Sequence, residues 1–441
     1  MYHNETLTFD KLRGRKTMKI KGVRLYGVKD IRLEEFEIPE ITEDEVLLKI
    51  ECNGIAMSTL KEITLAQRHL RVPKNIKKKP VLIGHEFSGT IEKVGKRWKE
   101  EYQEGKKFVI VPEIPLQIES PGYSYPYFGG AATYCIVPGD VIEKGCLIQC
   151  ETGAFYELAQ AQALYSVVSS FHSNYHSKQG SHEHISGIKE GGNTIILGGA
   201  GPMGLMAIRY VLEMEKKPKR LVITDTNQER LEKLRKTITV QEGRRHGVDL
   251  YYINPAMVTD SVPVLLAMTN EKGYDDVFVY APPKCVAEIG NRIMAMDGCM
   301  NIYAATADKN YRAGMNIYGS HYLKTKLIGS SGGLRSDMIE ALELIKNKKI
   351  NPAVGITHIG GIDAIVDTTL YLKKMPGSKK IIYPQINMPL TAIEDFKKLG
   401  EKDPVFYQLA QACDSHEGRW NEEAEKILLN YFENRKEIYG V

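Results

Sequence analysis

Short segments in which apolar and polar residues alternate dominate the first third of the chain. From residue 18 to about residue 150, segments such as MKIKGVRLYG, EVLLKIECNGI and KKFVIVPEI are β-patterned and are separated by Gly, Pro and acidic turns. The intervening stretch KEITLAQRHLRVPKNIKKKP is polar and rich in Lys, which indicates a loop with room for one helical turn. This pattern predicts a compact antiparallel β-rich domain, either a sandwich or a barrel.

A helical segment and then a regular alternation of strands and helices follow. The segment FYELAQAQALYSVVSSFHSNY contains good helix formers and no Gly or Pro, so it predicts a long helix that links two halves of the chain. After a polar loop at 177–192, the strands TIILGG, RLVITD, DDVFVYA, CMNIYAA and TKLIGSS alternate with helical segments. This spacing is typical of βαβ units and predicts an α/β fold with a parallel, doubly wound Rossmann sheet.

The pattern also divides the chain into domains and extensions. We expect an N-terminal extension at 1–17, a β-rich domain at 18–175 that is completed by 350–384, a Rossmann domain at 176–349 and a helical C-terminal extension at 385–441. The C-terminal extension carries mixed charges and several aromatic residues. It is therefore expected to pack either on the β-rich domain or on a second subunit.

Composition and charge narrow the class of protein. The 441 residues are 43% hydrophobic and 26% charged, which indicates two or three globular cores and excludes disordered and fibrous proteins. Lys and Arg (59) nearly balance Asp and Glu (55), and no long basic run is present, so nucleic acid is not an expected partner. Apolar runs are of strand length, well short of the roughly 20 residues that span a bilayer. The first 17 residues have acids and no apolar stretch, so we expect no secretory signal and a cytoplasmic protein.

Cysteines and histidines offer two candidate metal clusters. Seven scattered cysteines fit a reducing compartment rather than a disulfide framework. Cys146 and Cys150 have CxxxC spacing, but no second cysteine pair or matching histidine pair lies nearby, which favours semi-buried thiols over a zinc knuckle. Four histidines also lie close together in the sequence: His172, His176, His182 and His184. A solvated loop is the favoured interpretation of these histidines, because no HExxH motif accompanies them.

A glycine-rich motif predicts a nucleotide site. The sequence GAGPMG at 199–204 follows a predicted strand and opens a predicted helix, which is the context of a dinucleotide-binding fingerprint. Its glycines permit a tight turn, a close approach of backbone to pyrophosphate and close helix–strand packing, and the helix N-terminus offers free N–H donors. Asp225 lies 21 residues beyond Gly204, where a carboxylate can bind a ribose 2′-hydroxyl. The predicted cofactor-binding residues are Gly199, Gly201, Pro202, Met203, Gly204, Asp225 and Arg230.

The identity of the nucleotide depends on Asp225. A carboxylate at this position would repel a 2′-phosphate, so NAD(H) is favoured over NADP(H). The alternative is that Asp225 caps the following helix, because Asp is also a preferred N-cap residue.

Further motifs carry a resemblance to a known family. Gly84, His85 and Glu86 open the stretch IGHEFSGTIEKVG, and with the β-rich first half and the Rossmann segment they make the chain resemble the medium-chain dehydrogenase/reductase family. The resemblance spans about residues 18–384 and implies a GroES-like catalytic domain together with a Rossmann domain. Matches at PGYSYP, LGGAGPMGL, TDTN and SSGG are similar to a ketose-phosphate-reducing branch. They imply NAD(P)(H)-dependent interconversion of a ketose phosphate and a polyol phosphate by a homodimer or homotetramer.

The resemblance also implies a metal site, from which this chain departs. Zinc members of the family bind the metal through a Cys, the His of GHE and an acidic residue of the linking helix. Here Ala56 stands at the position of the Cys, and Gln162 stands at the position of the acid. The implied ligands are then His85, Glu86 and Gln162, and both a bound zinc ion and a remnant without zinc remain open. Cys52 could supply a thiolate only through a shift of register.

The catalytic residues that the resemblance implies are Ser58, His85 and Glu86. Ser58 matches the hydroxyl of the family's proton relay, and a side-chain proton donor would have to replace zinc if no metal is bound. The further donor candidates are Lys61, His69 and Tyr125. The lysine runs at 77–79 and 379–380 could attract a substrate phosphate, although such runs are usually solvated.

Two other functions remain open at this point. A non-catalytic descendant could bind the dinucleotide or a sugar phosphate, and the two missing ligands favour this alternative. The second alternative is a zinc-free reductase or an epimerase that retains NAD as a temporary hydride store. The intact glycine-rich motif does not distinguish them, because each function needs the same phosphate-binding turn.

Overall fold

The computed structural model describes residues 16–304, 306, 308 and 310–439, which form two compact units. Unit 1 is Met1–Gln162 with Pro352–Val441, and unit 2 is Ala163–Asn351. This division falls inside the linking helix, whereas the sequence pattern placed the boundary at residue 175. The expected N-terminal extension at 1–17 lies outside the described residues, except for residues 16 and 17.

The strands and the helices are each numbered in chain order. The strands of the described residues are β1 (Thr17–Gly27), β2 (Asp30–Pro39), β3 (Val46–Ile55), β4 (Val81–Leu82), β5 (Glu86–Val94), β6 (Lys107–Ile110), β7 (Tyr134–Val137), β8 (Leu147–Cys150), β9 (Tyr175–Ser177), β10 (His184–Ser186), β11 (Asn193–Leu197), β12 (Arg220–Thr224), β13 (Asp249–Ile253), β14 (Tyr274–Val279), β15 (Met294–Ile302), β16 (Lys326–Gly329), β17 (Ile356–Gly361), β18 (Lys379–Tyr383) and β19 (Thr391–Ala392). The α-helices are α1 (Met57–Leu65), α2 (Gly139–Glu143), α3 (Phe155–Ser173), α4 (Pro202–Glu213), α5 (Gln228–Thr237), α6 (Val240–Arg245), α7 (Ser261–Ala267), α8 (Lys284–Arg292), α9 (Ile317–Tyr322), α10 (Arg335–Lys346), α11 (Ile365–Tyr371), α12 (Phe396–Leu399), α13 (Pro404–Asp414) and α14 (Glu422–Tyr439). None of the described helices has the length and apolar character required to cross a membrane.

Unit 1 is the predicted antiparallel β-rich domain. Its larger sheet has the order β19-β17-β18-β3-β5-β6-β8, with β7 also paired to β3, and a smaller sheet has the order β2-β1-β4. The central strand β3 is antiparallel to β5, β7 and β18. The last part of the chain therefore completes the sheet that the first part begins.

Helix α1 differs from the expectation of a loop in this part of unit 1. It forms nine residues of α-helix and is followed by a 3-10 turn at 66–68. The helix buries Leu60 and Ile63 in an apolar cluster with residues of β1 and β18. Tertiary burial of this face stabilises a helix that the polar composition of the stretch did not indicate.

Unit 2 contains the predicted doubly wound sheet. Its strands have the order β13-β12-β11-β14-β15-β16, and every adjacent pair is parallel. In this order the chain reverses direction across the sheet between β11 and β14, and nucleotides bind at such switch points. The sequence pattern missed β13, a partly exposed edge strand that follows the short helix α6.

The C-terminal helices pack within unit 1. Buried side chains of α13 and α14 join a core that contains Tyr383, Phe396 and Trp420. The carboxylate of Glu425 on α14 accepts hydrogen bonds from the backbone N–H groups of Phe155 (2.7 Å) and Tyr156 (2.8 Å) and from the Tyr383 hydroxyl (2.8 Å). The extension thus caps the N-terminus of α3 with a buried carboxylate, and burial raises the pKa of Glu425 to about 7.

Candidate active site and nucleotide-binding turn

His85 lies on a tight turn between β4 and β5. Gly84 precedes it with φ of 91°, a left-handed conformation that favours glycine, and its carbonyl accepts a hydrogen bond from Gly130 N (2.7 Å). The turn leaves only 6% of His85 exposed. Burial lowers the pKa of this imidazole to about 4, so His85 is neutral at physiological pH.

The N-terminus of α1 places a hydroxyl group against His85. Ser58 Oγ and His85 Nε2 are 2.9 Å apart and hydrogen-bonded, which brings together two of the three predicted catalytic residues. Ala56 is the N-cap of this helix and has no side-chain donor. One ring nitrogen of His85 is therefore hydrogen-bonded to a serine in this chain.

Tyr123 completes this cluster and was not among the residues considered from the sequence. Its buried ring is tilted against His85 with a centroid distance of 5.1 Å, and its hydroxyl lies near Ser58. Burial raises the pKa of Tyr123, so the phenol stays protonated and can donate. Tyr125, the tyrosine considered from the sequence, instead packs edge-on against Phe128 at 5.7 Å. The PGYSYP segment contains both tyrosines, and only the folded loop shows which one reaches Ser58.

Glu86, the third predicted catalytic residue, is engaged by a cation. Its carboxylate forms an ion pair with Lys379 of β18, and both side chains are largely buried. A side chain on Gly54 would collide with this carboxylate and with the amide of Gln160. The side-chain amide next to Gly54 and Glu86 belongs to Gln160. Gln162, the glutamine considered as a ligand from the sequence, lies two residues further along α3 and is also buried.

The donor set does not fit a zinc ion. His85 Nε2 is bonded to Ser58, the Glu86 carboxylate is paired with Lys379, and Ala56 has no ligand atom. Cys52 is buried in the apolar core of unit 1, and burial raises the pKa of its thiol, which disfavours the thiolate that binds metals. Among the residues that the structure describes, no group of three or more His, Cys, Asp or Glu side chains could hold a metal ion. These residues therefore do not provide the ligands that a catalytic zinc ion requires.

The clustered histidines of the sequence have separate partners. His172 Nδ1 lies 2.7 Å from Asp337, and His176 Nε2 lies 3.2 Å from Asp276. The ring of His184 packs against Tyr175. These histidines therefore take part in ion pairs and packing of unit 2. The two cysteines of the CxxxC pair are buried and are not joined in a disulfide.

The glycine-rich turn joins β11 to α4 at the switch point of the sheet. A side chain at Gly204 would collide with the backbone of Gly199, so helix and turn pack closely there. At Gly201 the backbone has φ of −87° and ψ of 177°, and a Cβ atom would have no other atom within 4 Å. Space therefore exists beside Gly201 at the N-terminus of α4, where the pyrophosphate of a dinucleotide is expected. These residues fit a dinucleotide.

Asp225 does not cap the helix that follows it. Its carboxylate accepts hydrogen bonds from Ala200 N (3.1 Å) in the glycine-rich turn and from Asn227 N (2.9 Å). Asn227 caps α5, and its side chain accepts from the backbone N–H of Arg230 (2.9 Å). The N-cap of α5 is therefore Asn227. Asp225 instead connects the glycine-rich turn to the end of β12.

Gly201→Val is expected to lower NADH affinity by about 10- to 100-fold without a change in thermal stability. A valine at this position meets open space in the free protein but occupies the space of the pyrophosphate, at a cost of roughly 1–3 kcal/mol. NADH titration by fluorescence and a thermal melt of the same sample measure the two effects. Gly204→Val is the matched control and should unfold at a lower temperature. Unchanged NADH affinity in Gly201→Val would show that the nucleotide binds elsewhere.

Comparisons with known proteins agree with this architecture. Residues 42–163 match the alcohol dehydrogenase GroES-like domain family. Mannitol-1-phosphate 5-dehydrogenase of Aliivibrio fischeri is 40% identical over 408 residues, which are 92% of this chain and 96% of that protein. L-sorbose 1-phosphate reductase of Klebsiella pneumoniae is 36% identical over 420 residues, which are 94% and 98% of the two chains. The crystal structure of 2R,3R-butanediol dehydrogenase from Bacillus subtilis has a TM-score of 0.65 at 19% identity and covers 83% of this chain and 99% of its own.

Proposed function

Because this chain belongs to the medium-chain dehydrogenase/reductase family of zinc-type alcohol dehydrogenases, we propose that it interconverts a ketose phosphate and a polyol phosphate with NAD(H). Two relatives that match nearly the whole chain are named for such substrates. The observation that carries the proposal is the hydrogen bond between Ser58 and His85, with Tyr123 packed beside it in unit 1, in a chain whose unit 2 has an open dinucleotide turn.

The protein's part of the reaction is to place the carbonyl and to supply a proton. Bound NADH would transfer a hydride to the carbonyl carbon of the ketose phosphate. The hydroxyl of Ser58 gives its proton to the carbonyl oxygen, so that a secondary alcohol forms. The neutral His85 imidazole, which is hydrogen-bonded to Ser58, or the neighbouring Tyr123 hydroxyl returns a proton to Ser58, and solvent replaces the proton used. In the direction of oxidation each proton moves the opposite way.

This chemistry requires no metal ion. In a zinc enzyme the metal polarises the carbonyl, and a thiolate and a carboxylate offset its charge. Here the corresponding positions carry a methyl group and an amide, and the Glu86 carboxylate is neutralised by Lys379. Hydrogen bonds from hydroxyl groups replace the Lewis acid in the proposed reaction.

Metal-free protein is expected to oxidise NADH with a ketose phosphate at an undiminished rate. The test follows absorbance at 340 nm, a property of NADH, with a panel of ketose 1-phosphates, with and without chelator, on protein whose metal content is assayed. Parallel assays with NADPH are expected to be slower, because Asp225 would repel the 2′-phosphate. Turnover that a chelator abolishes and zinc restores would contradict the metal-free mechanism. Binding of NADH without turnover of any phosphorylated substrate would contradict the proposed reaction.

A further inference from the structure

Two basic side chains lie against the ring of Tyr123, and a third, Lys61, follows Ser58 on α1. The imidazole of His69 stacks on the Tyr123 ring at a centroid distance of 5.3 Å, and the Arg71 guanidinium lies 5.8 Å from the same ring centroid. Lys61 lies three positions after Ser58 on α1, so both side chains share one face of the helix. The loop that follows α1 thus places the basic side chains of His69 and Arg71 next to Tyr123, which lies near Ser58.

The hydrogen bonds of these residues leave donors for an anion. His69 Nδ1 accepts a hydrogen bond from Arg71 N (3.2 Å), so in the neutral tautomer the other nitrogen, Nε2, carries the proton and donates. Arg71 Nη1 is held by Ser120 Oγ at 3.4 Å. Burial and the charges of Arg71 and Lys61 lower the pKa of His69 to about 4, which shows that these groups lie close together.

The acidic side chains near Arg71 do not neutralise its guanidinium. The carboxylate of Glu113 reaches Arg71 at 4.0 Å, the limit of an ion pair, and the oxygen concerned makes no hydrogen bond. The carboxyl group of Glu62 is fully buried, and burial raises its pKa, which favours the uncharged form. The guanidinium of Arg71 therefore keeps its positive charge, which an anion with several oxygens would offset.

Glu62 provides a second, independent indication of a ligand. It lies one turn beyond Ser58 on α1, and neither of its buried carboxyl oxygens has a hydrogen-bond partner. Leaving such a group unpaired costs free energy, and buried polar groups without partners are rare in proteins. A protonated carboxyl group has one O–H donor and one carbonyl acceptor, which match an alcohol hydroxyl rather than a cation or a phosphate.

We infer that Lys61, His69 and Arg71 bind the phosphate group of the substrate and that Glu62 binds one of its hydroxyl groups. The inference rests on the proposed function, because it places a phosphorylated polyol or ketose next to Ser58. It assigns recognition to this group and not to the exposed lysine run at 77–79. A dianionic phosphate accepts hydrogen bonds from the guanidinium, the ammonium and the imidazole N–H, while the carbon chain extends toward the hydroxyl cluster.

Arg71→Gln tests the phosphate part of the inference. We expect kcat/KM for a ketose phosphate to fall by about 10- to 100-fold, the effect of one charge-assisted hydrogen bond, mostly through KM. The value of kcat/KM for the same ketose without phosphate should stay within about twofold. Lys78→Gln, which removes one exposed lysine nearby, is the matched control and should change neither value. NADH affinity should be equal in all three proteins.

The outcomes separate this inference from the proposed function. Equal losses with and without the phosphate, or no loss at all, would overturn the phosphate subsite while the reaction itself stands. If the wild type turns over no phosphorylated substrate, calorimetric titration with inorganic phosphate decides: binding that Arg71→Gln weakens at least tenfold and Lys78→Gln leaves intact supports the subsite, and equal binding overturns it. Should Arg71→Gln fail to fold, His69→Gln is measured in the same way, with the same expected selectivity.

Glu62→Gln tests the hydroxyl part of the inference. The amide keeps the size and neutrality of the protonated acid and retains a donor and an acceptor, so KM is expected to change by less than about threefold. Glu62→Leu removes both and should raise KM by about tenfold for phosphorylated and unphosphorylated ketoses alike. An unchanged KM in Glu62→Leu, with normal thermal stability, would overturn this role.

Discussion

Replacing Ser58 with alanine is expected to lower kcat for ketone reduction by about 10²- to 10⁴-fold, the usual contribution of a positioned proton donor. The substitution removes the hydroxyl that lies 2.9 Å from His85 Nε2 and near Tyr123, and it leaves the helix that carries it in place. Since the proton is needed in the transition state rather than in the bound substrate, KM should change little. Stopped-flow measurement of NADH oxidation at saturating ketose phosphate gives the value.

Two further variants make the Ser58 result specific. Ser58→Thr keeps a hydroxyl at the same position and should retain at least about a tenth of the activity. Tyr123→Phe removes the second hydroxyl of the cluster and should reduce kcat less than Ser58→Ala, because neutral His85 can still return a proton to Ser58. If Ser58→Ala retained wild-type turnover, the donor would be a different group.

Replacing Glu425 with alanine is expected to lower the free energy of unfolding of unit 1 by about 3–5 kcal/mol. The change leaves the N–H groups of Phe155 and Tyr156 and the hydroxyl of Tyr383 without their acceptor, and each buried unpaired group costs about 1–3 kcal/mol. Urea unfolding followed by the fluorescence of Trp420, whose indole is bonded to Tyr383, measures this effect. Glu423→Ala removes an exposed acid from the same helix and should change the free energy by less than about 0.5 kcal/mol.

Glu425 also gives the stability of unit 1 a pH dependence of known sign. Its pKa is raised to about 7 in the folded protein, against roughly 4.3 in an unfolded chain, so the folded state holds the proton more tightly. The resulting stabilisation is complete below pH about 4 and is lost as the pH rises to about 7, a change of about 3 kcal/mol. The difference in unfolding free energy between wild type and Glu425→Gln should follow this course. A difference that is constant from pH 4 to pH 8 would contradict the raised pKa.

Local patterns in the sequence were sufficient for the fold but only partly for the site. Strand spacing and GAGPMG predicted the parallel sheet, because both signals lie within single βαβ units. Helix α1 was taken for a loop, since its stability comes from a face buried against distant strands. Strand β13 was missed because its exposed edge lacks the apolar run of a central strand.

The contacts that decide the chemistry join distant parts of the chain. Glu86 and Lys379 are 293 residues apart, and no spacing rule relates them. Ser58 and His85 were placed together by the family resemblance rather than by any pattern of residues. Tyr123 could not be preferred to Tyr125, because only one loop residue separates the phenol that lies near Ser58 from the one that packs on Phe128.

Unit 1 consists of two chain segments that unit 2 separates in the sequence, and this order affects folding during synthesis on the ribosome. Strand β3 receives its partner β18, with Ile55 opposite Lys380, only after all of unit 2 has been translated. Unit 2 is one continuous stretch and can fold as soon as it emerges, whereas the earlier strands must wait with an unpaired sheet edge. Nascent chains that stall before β17 would expose this edge and are the species that chaperones and proteases should capture first.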